Sequence, residues 1–278
     1  MPIWYLRLGI GKKIIPKGTN KLTYKIVIPS RFGSSRLPGK PLKDINGKPM
    51  VWHVYQRALE TNIGAENIVV ATDHQDIFDT CSKYGIQVVM TREDHESGTD
   101  RLAEVAEIMG WADDVLVVNL QGDEPLIPPA LIDFTAQTLN ESPLAGMATL
   151  GCPINDEADI HDANCVKLVA DCSGRAMYFS RAAIPFARDG FEANVMHGSN
   201  SPWLRHIGMY AYRVATLKRL TSLPMAVVEG LEKLEQLRAL WNGVHIQVAA
   251  IASAPGHGID TQADLDRVRQ IMTQAHNS

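Results

Sequence analysis

The stretch that decides the fold runs from Tyr24 to Pro49 and reads YKIVIPSRFGSSRLPGKPLKDINGKP. Ile26, Val27 and Ile28 form a continuous β-branched run, which is typical of a strand buried on both faces. Pro29 ends that run, and the glycine and serine residues after it indicate a long turn. Because ligands bind where strands end in open α/β sheets, we expect a binding loop here.

The loop from Ser30 to Lys40 combines small residues with the cations Arg31, Arg36 and Lys40. Small residues let backbone amides approach an anion, while arginine forks and a lysine neutralise several phosphate oxygens together. A solvated basic turn is the alternative. Pro38 and Pro41 on either side of Lys40 favour a geometry that is held in place, and so a nucleotide loop.

The composition is ordinary for a globular protein of 278 residues, with 45% hydrophobic and 21% charged residues. A net charge of −4 and only 6% aromatic residues argue against a nucleic-acid surface. The cysteines lack metal-binding spacing, so we expect reduced thiols and a cytoplasmic protein. No segment approaches the roughly 18 apolar residues of a membrane span. Residues 1–23 are predicted to be a flexible N-terminal extension.

Strand and helix patterns alternate along the first half of the chain. Apolar residues at helical spacing follow Pro49, and the later patterns predict a strand at 67–73, a helix at 75–84, and strands at 86–90 and 115–120. This order predicts parallel pairing through right-handed crossovers. We therefore expect an α/β fold with a mostly parallel, Rossmann-like central sheet flanked by helices, and a smaller mixed lobe.

Acidic residues follow two of the predicted strands. Asp123 and Glu124 come after Gly122, which permits a close approach, and such a pair suits a Mg²⁺ ion that bridges nucleotide phosphates. A turn cap is the alternative for this pair. Asp260, which follows the strand predicted at 246–251, is either a second metal ligand or the N-cap of the last helix.

A capping box formed by Ser97 and Asp100 predicts the start of another helix. Such a helix start can hold an anion or a base edge. Arg101 in the first turn opposes the helix dipole, which favours a ligand role over a capping one, with an exposed arginine as the alternative.

Beyond Gly146 the predicted strands are less regular, and the candidate site residues are mainly arginine, histidine and tyrosine. Arg181, Arg205, His206, Tyr210 and Tyr212 offer donors and stacking faces that suit an acidic sugar, although a lone histidine is more often structural. The segment 227–241 is predicted to be one helix with glutamates on a solvated face. Its leucines and Trp241 suit either packing inside the fold or self-association.

Seven motifs stand in one order along the chain: PSRFGSSRLPGKPL (29–42), SGTDR (97–101), NLQGDEP (119–125), YFSR (178–181), RHIGMYAYR (205–213), LEQLR (234–238) and GIDT (258–261). Together they closely resemble the 3-deoxy-manno-octulosonate (Kdo) cytidylyltransferases, or CMP-Kdo synthetases. The resemblance extends from Tyr24 to the C-terminus.

The resemblance implies a nucleotide-diphospho-sugar transferase fold, a Mg²⁺ cofactor and a homodimer. It implies one domain at 24–278, with a nucleotide half at about 24–145 and a sugar and dimer half at about 146–278. The implied reaction transfers CMP from CTP to Kdo for lipopolysaccharide inner-core synthesis. The implied nucleotide-binding residues are Pro29, Ser30, Arg31, Ser35, Arg36, Lys40, Ser97, Arg101 and Gln121. The implied sugar-binding residues are Arg181, His206, Tyr210, Glu235 and Gln236.

By the same resemblance, Asp123 and Asp260 hold the metal and act in catalysis with Arg31 and Lys40. No general base stands out, so deprotonation is expected to rely on the metal site or on one of these carboxylates. Three alternatives stay open: a sister enzyme for sialate or 8-amino-Kdo, a non-catalytic sugar-nucleotide binding protein, and, more distantly, a nucleic-acid binder, which the charge and the lack of an aromatic platform disfavour.

Overall fold

The computed structural model describes residues 22–34, 36–95, 97–188, 201–256 and 258–276. The predicted extension lies outside them as far as residue 21, and so do Ser35 and most of the loop between 189 and 202. The chain divides into two compact units. We call residues 23–134 with 255–278 the N-terminal unit, and residues 135–254 the middle unit.

The N-terminal unit is built on a parallel sheet. Its sheet order is β6-β1-β4-β5, and each neighbouring pair is parallel. These strands are β1 (Lys25–Pro29), β4 (Ile68–Thr72), β5 (Val88–Met90) and β6 (Leu116–Asn119), and a separate short hairpin consists of β2 (Asp44–Ile45) and β3 (Lys48–Pro49). The β-branched run of β1 is completely buried, as predicted for a strand covered on both faces.

Helices connect the parallel strands in the predicted alternation. They are α1 (Met50–Leu59), α2 (Gln75–Lys83), α3 (Gly98–Ile108), α4 (Pro129–Asn140), which continues into the middle unit, and α9 (Gln262–His276). The predicted capping box is confirmed, because the Ser97 hydroxyl accepts from Asp100 N and the Asp100 carboxylate accepts from Ser97 N. Parallel strands end at the same edge of a sheet, so the residues after β1, β4, β5 and β6 meet there.

The middle unit contains a mixed sheet. Strand β7 (Met147–Pro153) pairs in parallel with β11 (Ile246–Ala250) and antiparallel with β10 (Leu204–Arg213). β10 also pairs antiparallel with β8 (Lys167–Ala170), which pairs with β9 (Ala176–Ser180). The helices of this unit are α5 (Glu157–His161), α6 (Val214–Thr221), α7 (Val227–Glu232) and α8 (Gln236–Trp241).

The prediction of a single helix at 227–241 is wrong. Lys233 adopts a left-handed conformation with φ of 54°, which separates α7 from α8. The prediction that its glutamates form a solvated face is also wrong for Glu229, which is buried. Arg238 Nη2 lies 2.8 Å from Glu229 Oε1. The ion pair joins α7 to α8 across this break, and helical spacing does not encode such a contact.

No helix in the described parts of the chain is both long and apolar enough to cross a membrane.

Candidate active site

The loop after β1 is tied to the end of β4. Ser30 donates its backbone N–H to the Ala71 carbonyl at 2.8 Å, and Phe32 donates its own to Asp73 Oδ1 at 3.0 Å. The Phe32 ring stacks on His74 with ring centroids 3.9 Å apart. These contacts fix the direction in which the loop leaves the sheet.

Two cations of this loop contact two carboxylates from distant parts of the sequence. Lys40 Nζ lies 2.7 Å from Asp123 Oδ2 and 3.2 Å from Asp260 Oδ1. Arg36 Nη2 lies 3.0 Å from the same oxygen of Asp260. The Asp260 side chain is 45% exposed, so its ion pairs are partly screened by water and can be exchanged for a ligand.

Two glycines let the backbone bring these carboxylates together. A Cβ at Gly122 would lie 2.6 Å from the Pro29 carbonyl oxygen, so a side chain there would force the strand ends apart. A Cβ at Gly258 would lie 3.2 Å from the Asp123 carbonyl oxygen, which accepts the backbone N–H of Ile259 at 2.8 Å. This backbone contact places Asp260 beside Asp123.

The side chain of Asp260 does not cap the last helix. Thr261 and Asp264 form that cap: the Asp264 carboxylate accepts from Thr261 N at 3.0 Å, and the Thr261 hydroxyl accepts from Asp264 N at 3.3 Å. The N-cap role considered for the Asp260 side chain is therefore wrong, and its role as a second metal ligand stays a prediction.

The neighbouring Glu124 has a different character from Asp123. Burial, and then the charge of Asp123, raise the pKa of Glu124 to about 7. Of the two neighbouring carboxylates, that of Asp123 contacts Lys40.

Arg101 is buried, so the exposed-arginine alternative is wrong. Only 3% of its surface is accessible, and Nη2 lies 2.8 Å from Asp73 Oδ2 while Nη1 donates to the Thr91 hydroxyl. Asp73 thus holds both this guanidinium and the backbone of Phe32 in the loop. The sequence analysis missed Asp73, although its position directly after β4 was a signal that could have identified it.

A second, partly buried pair was also missed. His95 Nε2 and Glu104 Oε2 are 2.5 Å apart, and Glu104 also accepts the backbone N–H of Arg92 at 3.0 Å. His95 lies two residues before the capping box and Glu104 lies on the second turn of α3. A helical pattern assigns such a glutamate to a solvated face, which is why only the structure reveals the pair.

A cavity of about 380 Å³ lies at this edge of the sheet in the N-terminal unit. Of the residues predicted for the nucleotide, the metal and catalysis, all but one line this cavity: Pro29, Ser30, Arg31, Arg36, Lys40, Ser97, Arg101, Gln121, Asp123 and Asp260. The exception, Ser35, lies outside the described residues. His95 and Gly98 line it as well. Residues from four separate segments (29–41, 95–101, 121–123 and Asp260) therefore surround a single space with cations, carboxylates and a helix start, which is the chemistry that a nucleoside triphosphate with a divalent metal needs.

The sugar-binding residues predicted from the sequence lie in the middle unit. The rings of His206 and Tyr210 on β10 have centroids 5.3 Å apart. Burial, and then the charges of Tyr212 and Glu235, raise the pKa of Tyr210 well above its usual value. The structure thus brings His206 and Tyr210 together.

Two polar atoms in this region are buried without a hydrogen-bond partner among the described residues. They are the Tyr210 hydroxyl and the Gln236 amide nitrogen. Burial lowers the pKa of His206 to about 3, so its imidazole is neutral at physiological pH, and its Nε2 lies 3.2 Å from the Thr149 hydroxyl. Unpartnered buried polar groups are costly, which indicates a place for a polar ligand.

The Arg181 side chain is hydrogen-bonded to other residues of the middle unit. Its Nε donates to the Glu232 carbonyl at 2.8 Å and Nη1 to the Ala163 carbonyl at 2.9 Å. The Glu232 carboxylate accepts the Arg181 backbone N–H at 2.9 Å, and the buried Lys167 donates to the Arg181 carbonyl. These hydrogen bonds engage much of Arg181 within the protein, and in the described residues no hydrogen bond joins it to Tyr210 or His206.

A family model described as "Cytidylyltransferase" matches residues 25–246. The chain belongs to the cytidylyltransferase family. Proteins named 3-deoxy-manno-octulosonate cytidylyltransferase from Pseudomonas syringae pv. syringae (strain B728a) and Pectobacterium carotovorum subsp. carotovorum (strain PC1) are each 51% identical to it. The matches cover 90% of this chain in both cases, and 98% and 99% of those proteins.

A solved cytidylyltransferase structure, described as CMP:2-keto-3-deoxy-manno-octonic acid synthetase complexed with CTP, is similar with a TM-score of 0.82 and 42% identity. The match covers 91% of this chain and all of that one. The structure of a cytidylyltransferase from Leptospira borgpetersenii is similar with a TM-score of 0.57 and 16% identity. At that identity the similarity supports the fold alone. The resemblance inferred from the motifs and the predicted α/β fold class are both confirmed.

Proposed function

We propose that this cytidylyltransferase transfers CMP from CTP to Kdo, giving CMP-Kdo and pyrophosphate. The observation that carries the proposal is the meeting of Lys40, Asp123 and Asp260 in the N-terminal cavity. In the reaction the anomeric hydroxyl oxygen of Kdo attacks the α-phosphorus of CTP. The bond from that phosphorus to the bridging oxygen breaks, pyrophosphate departs and the hydroxyl proton is lost.

The loop cations would bind the triphosphate. Lys40 and Arg36 contact carboxylates in the protein alone, and they would exchange these partners for phosphate oxygens, which suit guanidinium and ammonium groups. Arg31 lines the same cavity and is exposed. Positive groups held in place before the reaction stabilise the charge that develops on the phosphates and on departing pyrophosphate.

Asp123 and Asp260 would hold Mg²⁺. In the described residues no group of three or more His, Cys, Asp or Glu side chains gathers, so these two carboxylates would be the protein's share of the ligands. That donor set fits Mg²⁺, which commonly binds through one or two carboxylates together with substrate phosphates and water. When bound, the ion neutralises phosphate charge and polarises the phosphoryl group.

The polar cluster of the middle unit would recognise the sugar acid. The Tyr210 hydroxyl and the Gln236 amide have hydrogen-bonding capacity that the described protein groups do not use, and sugar hydroxyls could use it. The neutral His206 would donate or accept a hydrogen bond without adding charge.

Self-association and location complete the proposal. Leu231 and Trp241 are large apolar side chains that are 79% and 63% exposed, and a homodimer that covers them would remove this surface from water. Sedimentation of the purified protein would test this: a monomer at micromolar concentration would contradict it. The cytoplasmic location stays a prediction.

Pyrophosphate release tests the reaction. Purified protein would be assayed with CTP and Mg²⁺, with and without freshly generated Kdo, and with ATP, UTP, sialate and 8-amino-Kdo as controls. We expect release only when CTP and Kdo are present together. Release with another sugar acid alone would assign a different acceptor, whereas no release with any pair would favour a non-catalytic protein.

The metal assignment has its own test. Asp123→Asn removes a charge that Mg²⁺ would need, so turnover at saturating CTP and Kdo should fall by about a hundredfold or more. Asp79→Asn, an exposed position on α2, is the control and should leave turnover unchanged. Normal turnover of Asp123→Asn at saturating Mg²⁺ would show that Asp123 is not a ligand.

A further inference from the structure

The cavity of the N-terminal unit has two chemically different sides. At the loop side, Lys40 and Arg36 contact carboxylates that are 28% and 45% exposed and can be released to a ligand. At the α3 side, His95 and Arg101 contact Glu104 and Asp73, which are more deeply enclosed, with side-chain exposures of 19% and 13%. The side chains of His95 and Arg101 on the α3 side are therefore already engaged by carboxylates.

Glu104 fixes the orientation and the tautomer of His95. Burial alone would raise the pKa of Glu104, but hydrogen bonds from His95 and from the Arg92 backbone outweigh it, and the pKa is lowered. The ionised carboxylate can only accept, so His95 Nε2 carries the hydrogen and donates to it. In a neutral ring Nδ1 is then an acceptor, and it has no partner among the described residues.

We propose that Glu104 is a positioning residue for the nucleotide, holding His95 so that its imidazole contacts the nucleoside part of CTP rather than the triphosphate. The proposal rests on the proposed function to the extent that CTP is the nucleotide.

Charge favours this division of the cavity. A triphosphate would be repelled by the carboxylates behind His95 and Arg101, whereas the loop cations and Mg²⁺ attract it. The nucleoside is neutral and needs hydrogen bonds and a close fit.

Two ligands distinguish the loss of a contact to the nucleoside from a general loss of binding at the site. Calorimetry would measure binding of CTP and of inorganic tripolyphosphate, which lacks the nucleoside, in Mg²⁺ buffer without any sugar. We expect His95→Ala and Glu104→Ala each to weaken CTP binding about tenfold, the size of one hydrogen bond, and to leave tripolyphosphate binding unchanged. Lys40→Met should weaken both ligands.

A double substitution tests whether Glu104 acts through His95. If it does, combining His95→Ala with Glu104→Ala should weaken CTP binding no more than either change alone. Glu104→Gln, which can still accept from His95, should restore most of the affinity lost in Glu104→Ala. The control is Glu107→Ala, an exposed position on the same helix, which should bind both probes normally.

Three results would overturn the inference. Equal weakening of tripolyphosphate and CTP would mean that the pair only supports the fold of the site. Additive effects of the two substitutions would mean that Glu104 does not act through His95. If the unaltered protein bound tripolyphosphate but gained nothing from the nucleoside of CTP, the proposed function would fail together with this inference.

Discussion

The cavity of the N-terminal unit and the polar cluster of the middle unit handle polar groups in opposite ways. In the cavity, charged groups contact one another, and part of that network is open to water. In the cluster, His206 is neutral and the Tyr210 hydroxyl is buried without a described partner. The first site can exchange ion pairs for a charged ligand at little cost, whereas the second carries unused hydrogen-bonding capacity that a neutral part of a ligand would satisfy.

The largest expected effect separates activity from stability at Lys40. Lys40→Met removes a positive group that lies next to both proposed metal ligands, so kcat/KM for CTP should fall about a thousandfold. The free energy of unfolding should change by no more than about 1 kcal/mol, because the partner carboxylates are partly exposed. Steady-state kinetics and urea unfolding would measure the two quantities.

The control for this change is Lys83→Met, an exposed lysine on α2 that lies outside the cavity lining. It should leave both quantities as they are. A Lys40→Met protein with normal kinetics would refute the exchange of ion pairs for phosphate.

The intermediate effect lies in the middle unit. Tyr210→Phe removes a hydroxyl that lacks a described partner, so the unfolding free energy should stay the same or rise by up to about 1 kcal/mol. If the hydroxyl binds the sugar, KM for Kdo should rise about tenfold while KM for CTP stays unchanged. Kinetics with each substrate varied in turn would measure this split.

Tyr55→Phe serves as the control for Tyr210, because Tyr55 is a similarly buried tyrosine in the N-terminal unit. Neither KM should respond to it. A marked loss of stability in Tyr210→Phe, with KM for Kdo unaltered, would show that the hydroxyl serves the fold instead.

The smallest expected effect is the pH dependence of stability that comes from His206. Its pKa of about 3 in the folded protein lies below the ordinary value of 6.5. Between these two pH values the unfolded chain therefore binds a proton at this residue and the folded protein does not. Stability from this group is therefore complete above pH 6.5 and falls as the pH drops toward 3, by at most about 1.4 kcal/mol per pH unit.

Urea unfolding at pH 7.5, 6.0 and 5.0 would measure this effect in the unaltered protein and in His206→Asn. The variant should lose less stability on acidification. His161→Asn, at an exposed position, should behave like the unaltered protein. Parallel pH profiles for His206→Asn and the unaltered protein would show that His206 is protonated as easily in the folded state.

Local patterns in the sequence predicted the elements and most of the residues that line the cavity. The buried run of β1, the alternation of strands and helices and the Ser97 capping box depend on side-chain periodicity and on neighbouring residues, which a sequence displays directly. Arg36, Lys40, Asp123 and Gln121 follow strands whose ends must meet in a parallel sheet, so their convergence could be predicted as well.

The tertiary structure alone decided which partner each charged group has. Asp73 for Arg101, Glu104 for His95 and Arg238 for Glu229 are choices that depend on packing across the fold, and helical spacing had suggested solvent for Glu229. It also turned the Asp260 carboxylate toward Lys40 and not to the helix start. A sequence specifies where a chain bends and which faces it buries, but an ion pair depends on a distance of a few ångströms between segments, and that distance exists only once the whole fold has formed.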